Sequence, residues 1–309
     1  NLVKKVFFPR IILVVSQVIA NLANYVLSLV VQFPLVALLL YVQNDSVMSP
    51  MILLFPAVLA VHGFSHNGAA FHWLASALSD QYFILCPDMP GRGLSAWAET
   101  PEKDYCFNVF EGVIVDILRH FGLAQIRYLG TSMGGCLGMR LAGGVLRQAI
   151  THLALNDIGP EIPVGALPSA LKERDLQPRL KSIVEVKNYY TNVYLKLANV
   201  ALPGAEWLRF AIDHCRRLDD GSFTVHHDPS IYVHFARHPE DFAHWEAFVS
   251  MAVDPLILHG TASTILTDDV VKKVCRLRRS TQVKRITGIG HAPFLCTREE
   301  IESIQRYFA

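Results

Sequence analysis

No stretch of the chain constrains its fold as tightly as Gly130-Thr131-Ser132-Met133-Gly134-Gly135. It follows a short β-branched and apolar run at 126–129 and opens a helical pattern through Leu137, Met139 and Leu141. A serine with glycines two residues to either side, on a turn from strand to helix, has the geometry of a nucleophile elbow. The glycines are a steric requirement. The turn forces Ser132 into a strained backbone conformation and packs its neighbours so closely that side chains at 130 and 134 would clash. The helix behind the serine adds free N–H groups and partial positive charge.

The hydrophobic pattern around this turn fixes the class of fold. Apolar runs at 35–42 and 51–55, separated by the turn at 43–46, read as strands, and a third at 57–61 ends in His62-Gly63-Phe64. Strands then alternate with helices: helix 71–78, strand 82–86, loop 87–95 and strands 126–129 and 152–155. Before strand 126–129, Val109, Val113, Ile117 and Phe121 recur every four residues beside Phe110, Ile114 and Leu118, and Gly122 closes this helix. The rhythm resumes with strand 255–259, helix 268–277, strand 282–286, the loop 288–293 and helix 297–308. Such alternation predicts an α/β protein with a mostly parallel sheet covered by helices on both faces. A chain of 309 residues that is 51% hydrophobic can bury a core of that size. Between 159 and 250 the strand signal gives way to helical patterns rich in aromatics, including Tyr189, Tyr190, Tyr194, Trp207, Phe210, Tyr232, Phe235, Phe242, Trp245 and Phe248. These predict a helical cap over the strand ends, where open α/β sheets bind ligands. The core is then 35–158 and 251–309.

Residues 1–34 differ from all of this. From Ile11 through Asn44 no side chain is charged, and Lys4, Lys5 and Arg10 precede the run. Gln17, Asn21, Asn24 and Ser28 draw one narrow polar stripe along an otherwise apolar helix. A membrane anchor, a homodimer contact and a helix packed on the domain all fit this pattern. Elsewhere the net charge of +1 and the scattered basic residues argue against nucleic acid as a partner. The six cysteines show no CxxC spacing and read as reduced, which favours a cytoplasmic setting, with the N-terminal segment offering a route to a membrane.

His62-Gly63-Phe64, the stretch PDMPGRGLS at 87–95, GTSMGG at 130–135, LNDIGPE at 155–161 and GIGHAP at 288–293 resemble, in order and spacing, the α/β-hydrolase family. The resemblance covers about 35–309 and is strongest to bacterial esterases, enol-lactonases and C–C bond hydrolases that carry a helical cap. It implies an eight-stranded sheet, a serine nucleophile and a histidine base. Ser132 needs a base to take its proton during attack. Of thirteen histidines His291 alone sits in a Gly-rich loop after the last strand. The resemblance assigns the oxyanion-binding amides to Phe64 and Met133, and His62 is expected to orient the loop.

The acid is where the sequence departs from the family. Its usual place, four residues after the glycine that ends the seventh strand, is Thr264 here. Threonine accepts a hydrogen bond from imidazole but supplies no negative charge to stabilise an imidazolium. Asp157, after the preceding strand, is the favoured substitute. Asp268 and Asp269 compete from a helix start, although Thr267-Asp268 reads more simply as a cap. A weakened site, in a slow enzyme or a ligand-binding protein, is the third reading. Asp254 is expected on the wrong face and Asp88 as a brace within its loop.

The expected activity is hydrolysis of a small or medium apolar ester, lactone or related carbonyl compound through an acyl-enzyme, with cleavage of a vinylogous diketone as the close alternative. A small-molecule substrate is the expected partner and no cofactor is called for. His234 and His238, four apart, lack an acidic or cysteine ligand at a persuasive spacing, so no metal is expected. Arg140 and Arg147 are read as surface ion-pairing residues before carboxylate binders.

Overall fold

The computed structural model describes residues 55–163, 166 and 177–309. The expectations for the segment 1–34 and for the runs at 35–42 and 51–54 lie outside the described residues.

Eight strands are described: β1 (Ala57–Val61), β2 (Phe83–Leu85), β3 (Ile126–Thr131), β4 (Ile150–Asn156), β5 (Cys215–Arg217), β6 (Phe223–Val225), β7 (Leu256–Gly260) and β8 (Gln282–Ile286). Six of them form one sheet in the order β2-β1-β3-β4-β7-β8, and every neighbouring pair is parallel. β1 shows why such strands read as unbroken apolar runs. All five residues are buried, with Ala57, Leu59 and Val61 facing one hydrophobic cluster and Val58 and Ala60 the other. Period-two alternation therefore survives as a choice between two cores rather than between core and water.

The helices that supply those cores are α1 (His72–Leu78), α2 (Phe107–His120), α3 (Met133–Gly143), α4 (Ile183–Ala198), α5 (Gly204–Asp213), α6 (Val233–Arg237), α7 (Trp245–Ser250), α8 (Asp268–Leu277) and α9 (Arg298–Phe308). Phe107, Phe110 and Ile114 of α2 join Cys136 and Leu137 of α3 on one face of the sheet, while Leu74 and Leu78 of α1 join Ile304 and Phe308 of α9 on the other. Several boundaries follow local chemistry. Thr267 caps α8 by accepting the Val270 N–H, as the simpler reading of Thr267-Asp268 holds, and Thr297 with Glu300 forms a reciprocal capping box at the start of α9.

Between β4 and β7 the described residues are mainly helical, but β5 and β6 correct the expectation that strands are absent there: they pair as an antiparallel hairpin. Its turn runs through Asp219-Asp220-Gly221, with Gly221 at φ 83°, and Leu218 N–H donates to Ser222 O at 2.8 Å. Asp-Gly is a hairpin signal, but strands of three residues are too short to stand out as periodic runs. Tyr190 and Tyr194 of α4 pack with Trp207 and Phe210 of α5 and Val225 of β6 in a third cluster. All six cysteines are free thiols. Among the described residues no helix is long and apolar enough to cross a membrane.

β1 is flanked by β2 on one side and β3 on the other, so the winding direction reverses between β1 and β3. Open α/β sheets form their ligand crevice at the carboxyl ends of strands at such a reversal. The loop at His62-Gly63-Phe64 and the turn at Ser132 both leave the sheet there.

Candidate active site

Ser132 joins β3 to α3 at φ 51° and ψ −115°, a conformation that a residue with a Cβ rarely adopts. The packing that imposes it is visible at the flanking glycines. A Cβ on Gly130 would stand 2.4 Å from the backbone of Gly134, and one on Gly134 would stand 2.1 Å from Val61 O. The turn is further held by Ser132 N–H donating to Asn156 O at 3.1 Å and by the Gly135 and Cys136 amides donating to Ser132 O at 2.8 and 3.0 Å.

His291 arrives on the loop after β8. That loop is anchored to the end of α4, because Gly290 N–H donates to Ala198 O at 2.7 Å and His291 N–H to Leu197 O at 3.1 Å. Gly260 admits it: a Cβ there would come within 2.4 Å of Gly290 O. The imidazole lies with Nε2 2.8 Å from Ser132 Oγ and Nδ1 2.7 Å from Asp157 Oδ2. A carboxylate can only accept, so the proton sits on Nδ1 and Nε2 is the acceptor for the Ser132 hydroxyl.

Asp157 is fully buried and leaves β4 at φ 52°. Its N–H donates to Leu258 O at 2.8 Å, and its carboxylate accepts from three donors: His291 Nδ1, the Gly260 N–H at 2.9 Å and the Ser263 hydroxyl at 2.5 Å. Ser263 Oγ itself accepts the Ile265 and Leu266 N–H groups at 3.2 Å each, which leaves its hydroxyl proton for Asp157. A buried carboxylate that accepts from three donors is held in one orientation. The sequence reading missed Ser263. Its only signal was adjacency to Thr264 on the loop after β7.

The competing acids lie elsewhere. Thr264 is exposed. Asp268 pairs with Arg285 at 2.6 Å and Asp269 with Lys272 at 3.1 Å. Asp254 pairs with Arg278 at 2.8 Å. Asp88 braces its loop, accepting the Gly68 and Leu94 N–H groups at 2.7 and 2.8 Å. Away from the site, His234 Nε2 donates to Asp241 Oδ2 at 2.8 Å, Arg140 pairs with Asp241 at 3.0 Å and with Glu111 at 3.2 Å, and Arg147 donates to Ser250 O at 2.8 Å.

Among the described residues neither the Phe64 nor the Met133 amide is engaged in a hydrogen bond. Met133 opens α3, so its N–H is one of the helix's orphan donors. His62 is fully buried, accepts the Met89 N–H on Nε2 at 3.0 Å and donates from Nδ1 to Gly63 O at 2.8 Å. Burial lowers its pKa to about 4, so it is neutral at physiological pH and serves as a strut between the β1 and β2 loops.

Ser132 and His291 open onto a pocket enclosing about 890 Å³, counting its open mouth. Its walls are chiefly apolar, with Tyr194, Leu197, Phe210 and Phe235 from the segment between β4 and β7 facing Phe71 and Phe294 from the α/β layers. The lining suits an apolar ligand.

Comparison with known proteins agrees with this architecture. A model of the alpha/beta hydrolase fold matches residues 56–295. The chain belongs to the alpha/beta hydrolase family. It is 27% identical over 261 residues to a 3-hydroxybutyrate-oligomer hydrolase of Cupriavidus necator, an alignment covering 82% of this chain and 88% of that protein. An esterase of Mycobacterium tuberculosis is 24% identical over 69% of this chain and 68% of its own length. Among solved structures, an alpha/beta hydrolase from Novosphingobium aromaticivorans superposes with a TM-score of 0.70 at 26% identity, covering 82% of this chain and 89% of that one. E-2-(acetamidomethylene)succinate hydrolase shares the fold with a TM-score of 0.72 at 22% identity, covering 82% of this chain and 91% of that one.

Proposed function

We propose that this hydrolase is a serine esterase acting on medium-sized apolar esters, with short aliphatic oligoesters as the preferred class. One observation carries the proposal: Ser132 Oγ, His291 and Asp157 form a continuous hydrogen-bonded row that opens into an apolar pocket. The oligoester class is suggested by the similarity to the 3-hydroxybutyrate-oligomer hydrolase, which extends over most of both lengths. The segment 159–250 is read as a cap, because Tyr194, Leu197, Phe210 and Phe235 contribute to the pocket wall.

In this mechanism Ser132 Oγ attacks the ester carbonyl while its proton passes to His291 Nε2, and the carbonyl π pair moves onto oxygen. The Phe64 and Met133 amides, already without acceptors, receive that oxyanion with no reorganisation. Asp157 stabilises the imidazolium and holds its tautomer. Collapse of the tetrahedral adduct breaks the bond to the leaving alkoxide, which takes the proton from Nε2. A water molecule, deprotonated by the same nitrogen, then attacks the acyl-enzyme; collapse of that adduct breaks the acyl C–Oγ bond, Ser132 Oγ takes the proton back from Nε2, and the acid is released. The reading of a weakened ligand-binding protein rested on Thr264, and the carboxylate on His291 Nδ1 supports the esterase reading over it.

The test pairs a fluorophosphonate probe with hydrolysis of p-nitrophenyl esters of increasing acyl length. The wild-type chain should label once and prefer acyl groups longer than acetyl, and Ser132→Ala should lose both labelling and at least ~10⁴ of kcat. A folded wild-type protein that neither labels nor turns over any ester would refute the proposal.

A further inference from the structure

Arg92 is the centre of the PDMPGRGLS stretch, and the mechanism above does not use it. Its side chain is wholly buried. Nε donates to Phe64 O at 2.9 Å, Nη1 to Pro90 O at 2.7 Å, and Nη2 lies 3.6 Å from Met133 Sδ. The guanidinium carbon stands 5.1, 5.6 and 5.4 Å from the ring centres of Phe64, Tyr105 and Phe110. No carboxylate among the described residues forms an ion pair with it. Asp228, whose charge acts on Arg92 without a direct contact, accepts the Tyr105 hydroxyl at 2.5 Å and the Ser230 N–H at 2.8 Å.

A buried cation without a counter-ion is expensive, and proteins rarely keep one for shape alone. Desolvation lowers the Arg92 pKa only to about 10, so the group remains charged at neutral pH. Shape does not require it here, since other bonds already fix the loop: Asp88 to Gly68 and Leu94, His62 to Met89, and the Ser95 hydroxyl to Asp88 O at 2.5 Å. Arg92 touches both Phe64 and Met133, the two residues whose amides face the developing oxyanion in the mechanism above.

We propose that Arg92 is a positioning residue for the oxyanion site, holding the Phe64 carbonyl and the Met133 thioether together and keeping a buried positive charge next to both residues. The cation–π faces keep it desolvated without neutralising it. The bond to the Phe64 carbonyl limits rotation about the Cα–C bond of Phe64, while Gly63 O, in the same peptide as the Phe64 N–H, is held by His62 and by the His66 N–H. A fixed positive charge in a dry site also favours the tetrahedral, negatively charged state over the planar ester. The proposal rests on the assignment of Phe64 and Met133 as oxyanion donors.

Arg92→Met and Arg92→Lys test it, with p-nitrophenyl ester kinetics, a trifluoromethyl ketone that forms a tetrahedral adduct on serine, and the thermal midpoint as readouts. Arg92→Met keeps the aromatic packing and should lower kcat on the order of 10–100-fold while KM stays within about twofold. The ketone should weaken by the same factor as kcat. Arg92→Lys, which keeps a charge but loses the fork, should fall between, and carries the test alone if the methionine variant does not fold. A folded Arg92 variant with wild-type kcat, or one whose kcat falls without weakening the ketone, overturns the proposal. Ser132→Ala separates the two readings: if it still hydrolyses ester, the esterase assignment has failed, whereas an inactive Ser132→Ala beside fully active Arg92 variants sinks only the role of Arg92.

Discussion

The ends of β4 and β7 are neighbours in the sheet and both approach His291, yet they divide the work unevenly. At the end of β7, Gly260 gives room to the histidine loop, Ser263 donates a hydroxyl and Thr264 faces solvent. At the end of β4, Asp157 places a buried carboxylate on the imidazole. The family's usual acid position is therefore vacant on one strand, and its neighbour presents the charge. The contrast shows that the end of either strand can bring a carboxylate to Nδ1. Asp157 leaves β4 at φ 52° and its Oδ2 lies 2.7 Å from that nitrogen.

Three substitutions would break or sharpen this contrast. The largest effect is expected at β4: Asp157→Asn should cost on the order of 10⁴ in kcat, because an amide at that place holds the wrong tautomer and carries no charge. Retention of more than about a tenth of wild-type kcat would show that the acid lies elsewhere. A smaller effect is expected from Ser263→Ala, which removes one hydrogen bond to the Asp157 carboxylate, a change of about 1.5–3 kcal/mol, so kcat should drop about 10–100-fold with KM little changed. Equal losses for Ser263→Ala and Asp157→Asn would mean that the hydroxyl, not the carboxylate, is the essential partner. The smallest effect belongs to Thr264→Ala, which should leave kcat within about twofold, since the side chain is exposed and makes no hydrogen bond to His291. A tenfold loss there would return the catalytic role to β7.

Much of the architecture was legible because it is local. The helix 268–277 and the strand 282–286 stand where their periodicity puts them, since a capping threonine and an apolar face act over one or two turns. The region between β4 and β7 was less legible: its hairpin strands span three residues each, too few for alternation to register. At the site, Ser132 and His291 announce themselves through flanking glycines, because close backbone approach leaves a compositional trace. Asp157 had no comparable mark, for an Asn-Asp turn after a strand serves a structural role equally well. Arg92 and Ser263 left still less, as an arginine in a glycine-rich loop and a serine beside a threonine are ordinary surface features until packing buries one and aims the other.

By itself the sequence determined the alternating α/β order, the elbow that strains Ser132 and the glycine-framed loop that carries His291, all consequences of chemistry within a few residues. Which carboxylate meets the imidazole, and that a buried guanidinium touches both Phe64 and Met133, only the tertiary structure decided. Those facts depend on contacts between segments more than a hundred residues apart in the first case and between three separate loops in the second. Hydrogen bonds across such separations are set by how the strands stack in the sheet, which no short window of residues encodes.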